Sequence, residues 1–374
     1  MMKFLSSSER RKLNIKIGIF ILMTTVFSFF PKKVFSAGAD PRDSESPFGV
    51  LEFLPWDHEW NGHHNAPEKA ERTVKLMKEA GVGWARMDFL WDDIEPSQGR
   101  WDFKKYDRLV ELLSKNDIKI LGLLNYNTGW AGQDWNSAPD AGLFAVYAKA
   151  VVHRYKNKVK YWEVWNEPNQ EIYWMPQDGM KAYAALLQKT YPVIKSEDPS
   201  AVVLLGGLAA VAAPSLTQIY AHGGKDFFDI VNFHPFESPL DPEAMEKVKS
   251  SYEAVCRVMQ NHGEDGKPIW LTEIGCPGMP DLKETQNWWL GKNPDEKAQA
   301  GWVEKLYDEP LRWKGVQKVF WAFFRDTPDH FLTGTDYFGL VREDFTKKPA
   351  FDAYQRMTIK GRNPTSKDNF SRSR

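Results

Sequence analysis

The sequence predicts an α/β fold, a single (β/α)₈ TIM barrel with extended βα loops. Strand-like and helix-like stretches alternate along the chain, which is typical of a parallel sheet with crossover helices. The chain has 374 residues, 42% of them hydrophobic, and a barrel of this kind takes about 250 residues, more with insertions. A doubly wound open sheet is the alternative. It is disfavoured because no glycine-rich phosphate turn follows the first strand.

Eight short runs rich in apolar, β-branched and aromatic residues predict the strands. The predicted strands are 48–54, 82–90, 118–125, 161–165, 202–206, 228–234, 268–274 and 316–324. The predicted crossover helices are 67–80, 102–116, 141–155, 179–195, 215–222, 242–261, 295–307 and 349–356. In the first helix, Pro67 suits the first turn, Ala70, Val74 and Met77 share one face, and Gly81 ends the helix. Eight strands with eight crossovers make a closed barrel the most economical arrangement.

Residues 1–37 have the layout of a secretory signal peptide. Basic residues precede an apolar run of 14 residues from Ile17 to Phe30, and small residues follow at 36–39. The run is shorter than the roughly 20 residues that cross a bilayer comfortably. Lys32 and Lys33, between the run and the small residues, are atypical of a cleaved signal. We therefore expect an exported protein (secreted, periplasmic or cell-surface), with an uncleaved membrane anchor as the alternative.

The remaining chain reads as one domain, predicted at 45–358, followed by a polar, basic tail at 359–374 that we expect to be disordered. The formal net charge is only −1, so there is no electrostatic case for nucleic acid as a partner. We expect a monomer. Cys256 and Cys276 match no metal-site spacing, and a disulfide or two buried free thiols both remain open.

The most informative stretch is Tyr161-Trp162-Glu163-Val164-Trp165-Asn166-Glu167-Pro168-Asn169. It predicts a buried strand that ends in a polar corner, because proline has no N–H to donate to the sheet. Burying the Glu167 carboxylate costs several kcal/mol unless it is paired or neutralised. Glu167 is therefore either a structural ion-pair partner or a general acid with a raised pKa.

A second glutamate follows the same pattern in Pro268-Ile269-Trp270-Leu271-Thr272-Glu273-Ile274-Gly275. Two strand-end carboxyl groups facing each other across a cleft are what glycosidic bond cleavage requires. The motifs Trp165-Asn166-Glu167-Pro168 and Thr272-Glu273-Ile274-Gly275 resemble those of the clan A glycoside hydrolases, and most closely family 39. That family includes xylosidases and iduronidases. The resemblance implies an eight-stranded barrel with the acid/base on strand four and the nucleophile on strand seven.

The resemblance carries specific roles onto this chain. Glu273 is the implied nucleophile and Glu167 the acid/base. Asn166 is expected to hold the hydroxyl next to the anomeric carbon, and Trp321 to form the floor of the subsite that is cleaved. His234, His58 and Arg86 match polar residues of the family at strands six, one and two. Many family members also place a tyrosine at the end of strand six; this chain has Phe236, and Tyr126 or Tyr337 are candidates to replace the tyrosine.

Strand alternation puts Glu163, Trp165 and Glu167 on one face, and Ile269, Leu271 and Glu273 on one face. Both catalytic candidates are thus expected to point toward the barrel axis. Glu163 would lie one layer deeper, and we expect it to pair structurally with Arg86 because an unpaired buried charge is costly. A core ion pair is the alternative role for Arg86, and a solvated loop position for His58.

Nine of the sixteen tryptophans fall in loops that follow strands. Flat amphipathic side chains suit the C–H faces of pyranose rings, so some of these indoles are expected to bind sugar, Trp130 and Trp174 among them. About half are expected to pack under long loops instead. The loop tryptophans are Trp56, Trp60, Trp91, Trp101, Trp130, Trp135, Trp174, Trp288 and Trp289.

His58, His63 and His64 raise a metal hypothesis, together with Asp57 or Glu59. The cluster lacks a helical i, i+4 spacing and a matching ligand elsewhere, so a solvated substrate-binding loop is the better interpretation. The expected chemistry is retaining hydrolysis, which requires no metal or organic cofactor, with carboxyl groups about 5–5.5 Å apart rather than the roughly 6.5–9.5 Å of inverting enzymes.

Two alternatives remain: a barrel that binds or assembles polysaccharide without cleaving it, and a transglycosylase that uses the same intermediate. The sequence does not specify the sugar or the linkage. The loop lengths and tryptophans favour a cleft for a polymer over exo action.

Overall fold

A computed structural model of the protein describes residues 46–131, 134–279, 293–331 and 334–362. The predicted signal segment, residues 363–374 of the predicted tail, and Trp288 with Trp289 lie outside the described residues. Among the residues that are described, no helix combines the length and apolar character needed to span a membrane.

Eight parallel strands close into a barrel in the order in which they occur along the chain. β1 pairs with β2 on one side and with β8 on the other, so that Val50 lies opposite both Ala85 and Trp321. The predicted (β/α)₈ barrel is confirmed. The strands are β1 Phe48–Leu51, β2 Trp84–Leu90, β3 Lys119–Asn125, β4 Tyr161–Asn166, β5 Val202–Ala209, β6 Val231–His234, β7 Ile269–Ile274 and β8 Val316–Ala322.

Helices fill the connections between the strands. The described α-helices are α1 Pro67–Ala80, α2 Trp91–Ile94, α3 Lys104–Lys115, α4 Ala141–Tyr155, α5 Lys181–Glu197, α6 Ala212–Ala221, α7 Ala244–Asn261, α8 Glu296–Asp308 and α9 Pro349–Arg362. Short 3₁₀ turns lie at Glu59–Asn61, Gly129–Ala131, Pro310–Arg312 and Gly334–Tyr337. The short α2, directly after β2, was not predicted, because four residues carry too little periodicity to signal a helix.

The amino-terminal end of the barrel is filled by a layer of apolar side chains, here called the bottom layer. It consists of Trp84, Leu121, Leu204, Ile230, Trp270 and Phe320. Lys318 adds a buried cation whose Nζ lies 4.6 Å from the ring centroid of Trp84 and 5.2 Å from that of Trp270. Because side chains alternate along a strand, the bottom layer identifies which residues of each strand face the interior.

Several element ends differ from the prediction, and two of the differences show contacts that the sequence does not reveal. β1 ends at Leu51 rather than at residue 54, and the side chain of Glu52, just beyond it, accepts hydrogen bonds from Asn65 and from the backbone of Arg325. At the other end of the chain, α9 continues to Arg362, into the predicted tail. Thr358 donates a hydrogen bond to the carbonyl of Ala80. The C-terminal part of α9 is thus held against the end of α1, which sequence polarity alone does not reveal.

Both cysteines are free. Cys276 is buried and Cys256 is partly buried. Of the two possibilities left open by the sequence, the structure therefore has two separate thiols rather than a disulfide.

Candidate active site

The site is built around Arg86, the third residue of β2, whose side chain is 1% exposed inside the barrel. Its Nε and Nη2 donate to the two carboxylate oxygens of Glu163 at 2.7 and 2.9 Å. Nη1 donates to Glu273 Oε1 at 2.6 Å, and Nη2 also donates to Asn166 Oδ1 at 2.8 Å. The predicted Arg86–Glu163 pair is present. Arg86 also holds the nucleophile candidate, which makes it the organising cation of the site.

The end of β4 does not follow the predicted alternation. Trp165 and Glu167 adopt left-handed backbone conformations, with φ of 69° and 43°. As a result Trp165 turns away from the interior: its indole packs against Phe144 of α4, and its Nε1 donates to the carbonyl of Tyr173. Asn166 points inward in its place. The prediction that Trp165 shares a face with Glu163 and Glu167 is therefore wrong, because left-handed residues break the period of two.

The alternation predicted for β7 is also wrong. Trp270 belongs to the bottom layer and Thr272 bonds to side chains of β6 inside the barrel, so these two residues, rather than Ile269 and Leu271, face the interior. The pairing of β7 with β8 shifts register between Leu271 and Ile274. This irregularity lets Glu273 reach Arg86 although it follows an inward-facing residue.

Glu167 and Glu273 face each other at the carboxyl ends of β4 and β7. One carboxylate oxygen of each, together with a ring nitrogen of His234, lie within 4.8 Å of one another. His234 Nδ1 is 2.7 Å from Glu167 Oε1 and 3.9 Å from Glu273 Oε1. The two predicted catalytic carboxyl groups and His234 are thus brought to one point.

The surroundings of Glu167 and His234 keep both groups uncharged. Burial raises the pKa of Glu167 to about 8, against the opposing attraction of Arg86. Burial also lowers the pKa of His234 to about 4, so the imidazole is neutral near pH 7. A protonated carboxyl beside a neutral imidazole is what a general acid requires.

Glu273 has a different environment. Burial, together with the nearby charges of Glu167 and Glu163, raises the pKa of Glu273, whereas the charge of Arg86 acts to lower it. The 2.6 Å charge-assisted bond from Arg86 stabilises the ionised form directly. Glu273 therefore has what Glu167 lacks, a cation in direct contact, which suits a nucleophile that must be ionised to react.

Three of the other predicted site residues lie in the loops around this point. His58 Nε2 is 2.7 Å from Asp93 Oδ1, and its ring stacks on Trp60. Trp130 is half-buried and donates its indole N–H to the carbonyl of Glu95 at 2.7 Å. His58 and Trp130 therefore make contacts that order the loops.

Tyr126 follows β3 directly and has a φ of 61°. Its ring packs edge-on against Trp135, at 4.9 Å between centroids, and stacks with Tyr173 at 6.4 Å. Burial raises the pKa of Tyr126 well above its usual value, and the charges of Glu167 and Glu273 add to this shift. Tyr126 thus lies close to both predicted catalytic carboxyl groups, and its role in substrate binding stays a prediction.

Two predicted substrate-binding tryptophans are instead core residues. Trp174 and Trp321 are both 0% exposed. Trp174 packs edge-on against Trp165, while Trp321 donates its indole N–H to the carbonyl of Phe338. A fully buried ring has no face to offer a sugar. For Trp321 the reason is parity: Phe320 belongs to the bottom layer, so its neighbour on β8 points out toward the helices.

The described loop tryptophans divide between buried and exposed positions. Trp60 is 61% exposed and Trp135 is 50% exposed, whereas Trp56 and Trp91 are buried beneath loops. Trp60 lies in the loop after β1, and Trp135 in the loop after β3. Beside Trp135 is an open surface pocket of about 520 Å³, lined in part by Asn136, Glu171 and Met175.

Four residues near the site were not predicted from the sequence: Asp88, Tyr173, Asn232 and Thr272. Asn232 precedes His234 by two residues, so simple alternation along β6 would have placed both on the inner face. Thr272 precedes Glu273 inside the second glutamate motif. It was not predicted as a site residue because the alternation expected for β7 placed its side chain outside the barrel.

The histidine cluster after β1 disperses in the structure. His63 pairs with Asp57 at 2.9 Å, His58 with Asp93, and His64 lies 3.7 Å from Glu52. Within the described residues, the trio of Glu167, His234 and Glu273 is the group of three with metal-ligand spacing. Arg86 already supplies a positive charge 2.6 Å from Glu273, which opposes binding of a second cation there.

Comparisons with known proteins show similarity to glycoside hydrolases. A family model described as beta-galactosidase, glycoside hydrolase family 42, matches residues 59–126. Endo-1,4-beta-xylanase B of Thermotoga neapolitana is 24% identical over 308 residues, which cover 77% of this chain and 84% of the xylanase.

Solved structures show the same fold. A family 39 glycoside hydrolase from Bacteroides cellulosilyticus WH2 superposes with a TM-score of 0.64 at 24% identity, covering 83% of this chain and 63% of that one. A family 39 beta-xylosidase from Caulobacter crescentus has a TM-score of 0.62 at 21% identity, with 86% and 72% covered. This chain thus spans less than two thirds of the Bacteroides structure.

In sequence the chain is similar to glycoside hydrolases and in fold to family 39 enzymes, so the resemblance to clan A indicated by the two glutamate motifs is confirmed.

Proposed function

We propose that this protein is a retaining O-glycoside hydrolase in which Glu273 is the nucleophile and Glu167 is the general acid/base. The observation that carries the proposal is the unequal surroundings of two adjacent carboxyl groups. Glu273 accepts a hydrogen bond from the Arg86 guanidinium, whereas Glu167 contacts the neutral ring of His234. One group is thereby kept ionised and the other protonated, which assigns a separate role to each.

The first step forms a glycosyl-enzyme. A Glu273 oxygen attacks the anomeric carbon, the bond from that carbon to the leaving oxygen breaks, and Glu167 gives its proton to the leaving oxygen. Arg86 stays bound to Glu273 and Glu163, so the nucleophile is held in place before substrate arrives.

The second step returns the enzyme to its starting state. Esterification removes the negative charge of Glu273, which is one of the charges near Glu167, so the pKa of Glu167 falls and its carboxylate can act as a base. Glu167 takes a proton from water, whose oxygen attacks the anomeric carbon and releases Glu273. Oxygen atoms of the two carboxyl groups within 4.8 Å support the short separation used by retaining enzymes, about 5–5.5 Å, over the longer one of inverting enzymes.

The proposed substrate is an oligosaccharide or polysaccharide. Exposed Trp60 and Trp135, in loops after different strands, provide apolar surfaces for sugar rings beyond the catalytic pair. The similar proteins include an endo-xylanase and a beta-xylosidase, so xylan and xylo-oligosaccharides are the first substrates to test. Because of residues 1–37, we propose that the protein acts outside the cytoplasm.

The mechanism is tested with a slow 2-fluoro glycoside followed by peptide mass spectrometry. The expected result is a label on Glu273, with the first-formed product of an ordinary substrate retaining its anomeric configuration by NMR. A label on another residue, or an inverted first product, would contradict the proposal. Binding of the oligosaccharides by a pure protein that cleaves none of them would favour the non-hydrolytic alternative.

A further inference from the structure

We propose that Asn232 and Thr272 are positioning residues that fix His234 with its proton on Nε2, so that the Nδ1 lone pair faces the Glu167 carboxyl group as an acceptor. A chain of side-chain hydrogen bonds from β6 and β7 imposes this tautomer. The proposal rests on the proposed function, in which Glu167 is the acid/base, and it explains how the resting enzyme stores the acid's proton.

The orientation of the Asn232 amide is set by two backbone groups. Asn232 Nδ2 is 3.2 Å from the carbonyl oxygen of Leu205, which can only accept. Asn232 Oδ1 is 3.3 Å from the backbone N–H of Thr272, which can only donate. Exchanging the amide oxygen and nitrogen would place two acceptors together and two donors together. The amide therefore has one satisfactory orientation, with Oδ1 toward Thr272.

The orientation of the amide determines that of the next two groups. Thr272 Oγ1 is 2.8 Å from Asn232 Oδ1, an acceptor, so the hydroxyl donates its proton to the amide. The same hydroxyl oxygen is 3.0 Å from His234 Nε2 and has only acceptor capacity left. His234 Nε2 must therefore carry a hydrogen. In a neutral imidazole, Nδ1 is then the unprotonated nitrogen.

Gly207 on β5 leaves room for the imidazole ring. A Cβ added at Gly207 would lie 1.9 Å from His234 Nε2 and 2.4 Å from its Cε1. The ring thus occupies the space that a side chain on β5 would need. The lack of a side chain at Gly207 lets the ring lie between Thr272, at Nε2, and Glu167, at Nδ1.

The consequence concerns the proton on Glu167. With Nδ1 unprotonated, 2.7 Å from Glu167 Oε1, only a protonated Glu167 can make that hydrogen bond. The opposite tautomer would donate from Nδ1 and would stabilise the carboxylate instead. During glycosylation, the proton moves from Glu167 to the leaving oxygen and the bond to Nδ1 is lost. Glu167 recovers a proton from water in the second step, and the bond to Nδ1 forms again.

Other charged and titratable groups also face Glu167, from every strand end packed against it. Apart from His234, whose tautomer is under test, these groups keep their side chains when Thr272 is altered, so a substitution at Thr272 isolates the effect of the tautomer. The groups are Arg86 on β2, Tyr126 after β3, Glu163 on β4, Tyr173 after β4, His234 on β6 and Glu273 on β7.

The first test compares pH profiles of kcat/KM for the wild type, Thr272→Val and Thr272→Ser. Valine has the shape of threonine but cannot accept from Nε2, so the His234 proton is expected to shift to Nδ1. The basic limb should then move down by about one pH unit, the scale of one net hydrogen bond. Serine keeps the hydroxyl and should restore the wild-type limb.

A matched control is Thr190→Val. Thr190 is buried in α5, and in the described part of the chain its hydroxyl has no hydrogen-bond partner. This substitution makes the same chemical change at a distance from the site, so the basic limb should stay where it is. An unshifted limb in folded Thr272→Val, or an equal shift in Thr272→Val and Thr272→Ser, would overturn the proposal.

The second test does not depend on activity. Nitrogen-15 NMR of histidine-labelled protein, with His234 assigned from the spectrum of His234→Asn, reports which ring nitrogen is protonated. The wild type should show a protonated Nε2 and an unprotonated Nδ1, and Thr272→Val should show a shift toward protonated Nδ1. A wild-type His234 protonated on Nδ1 would refute the proposed hydrogen-bond chain from Asn232 through Thr272 to His234. The two proposals can fail separately. If no glycoside is cleaved, the proposed function fails. The hydrogen-bond chain is still supported if the wild type has the Nε2–H tautomer and Thr272→Val loses it.

Discussion

The two ends of the barrel each bury a cation, in opposite surroundings. At the bottom, Lys318 lies over the rings of Trp84 and Trp270 and donates to the carbonyl of Ser46. At the top, Arg86 is surrounded by acceptor oxygens of Glu163, Glu273 and Asn166. The bottom is filled with apolar side chains, half of them aromatic, whereas the top contains several charged side chains.

The difference separates stability from chemistry. Packing of large rings at the bottom gains free energy by removing apolar surface from water. The top contains features that lower stability instead. Trp165 and Glu167 have positive φ, which costs roughly 1 kcal/mol or more for each residue. Several carboxyl groups are also buried together there, which costs desolvation free energy. A barrel stabilised at one end can hold strained and charged groups at the other.

The largest expected effect comes from removing either of the carboxyl groups at the top that we propose to be catalytic. Glu273→Ala should lower kcat by on the order of 10⁴–10⁶-fold, because no nucleophile remains. Azide should restore turnover and give a glycosyl azide with the anomeric configuration opposite to that of the substrate. In Glu167→Ala, azide should react with the glycosyl-enzyme and give the same configuration as the substrate.

Product NMR distinguishes these two variants. Glu253→Ala, on the exposed face of α7, is the control and should retain wild-type kcat. If azide gave the same anomer with both alanine variants, the assignment of the two roles would be incorrect.

The next effect concerns the cation at the top. Arg86→Met removes the positive charge and leaves Glu163 and Glu273 buried without it, so the free energy of unfolding should fall by about 3–5 kcal/mol. Arg86→Lys keeps the positive charge but loses the two parallel hydrogen bonds to Glu163. Its free energy of unfolding should therefore fall by less than that of Arg86→Met. Urea denaturation at pH 7 measures both. Equal stability of Arg86→Met and wild type would show that the site does not depend on this cation.

A comparable stability effect is expected at the bottom, without the chemical one. Phe320→Ala opens a cavity between Trp270 and the other rings, so the free energy of unfolding should fall by about 3–5 kcal/mol. The pH profile of kcat/KM should keep its shape, because no titrating group of the site contacts Phe320. A displaced limb in this variant would contradict the separation of the two ends.

The smallest expected effect is a pH-dependent change in stability from Glu167. The folded pKa of Glu167 is raised from 4.5 to about 8, so its favourable contribution is complete below pH 4.5 and is lost as the pH rises through 8. Glu167→Gln has no titrating group at this position, so it does not lose this contribution to stability as the pH rises. Its Tm relative to wild type should therefore increase between pH 5 and pH 8.5, by about 2–4 °C for each kcal/mol. Scanning calorimetry at the two pH values checks this, and a difference in Tm that does not change with pH would count against it.

Sequence reasoning predicted the barrel and both glutamates because each depends on local pattern. Apolar runs at strand length and helical periodicity report burial on one face or the other. A charged residue at the end of such a run is conspicuous. Trp174 and Trp321 were wrongly predicted to bind substrate, because a tryptophan after or within a strand has the same composition signal whether its ring is exposed or buried.

By itself, the sequence determined that eight strands alternate with eight helices and that Glu167 and Glu273 each end a strand. Only the tertiary structure decided which side chains point inward at those ends. The positive φ of Trp165 and the register shift in β7 reverse the expected faces, and neither follows from residue type. It also decided which carboxyl group lies at Arg86 and which at His234, because those contacts join strands far apart in the chain.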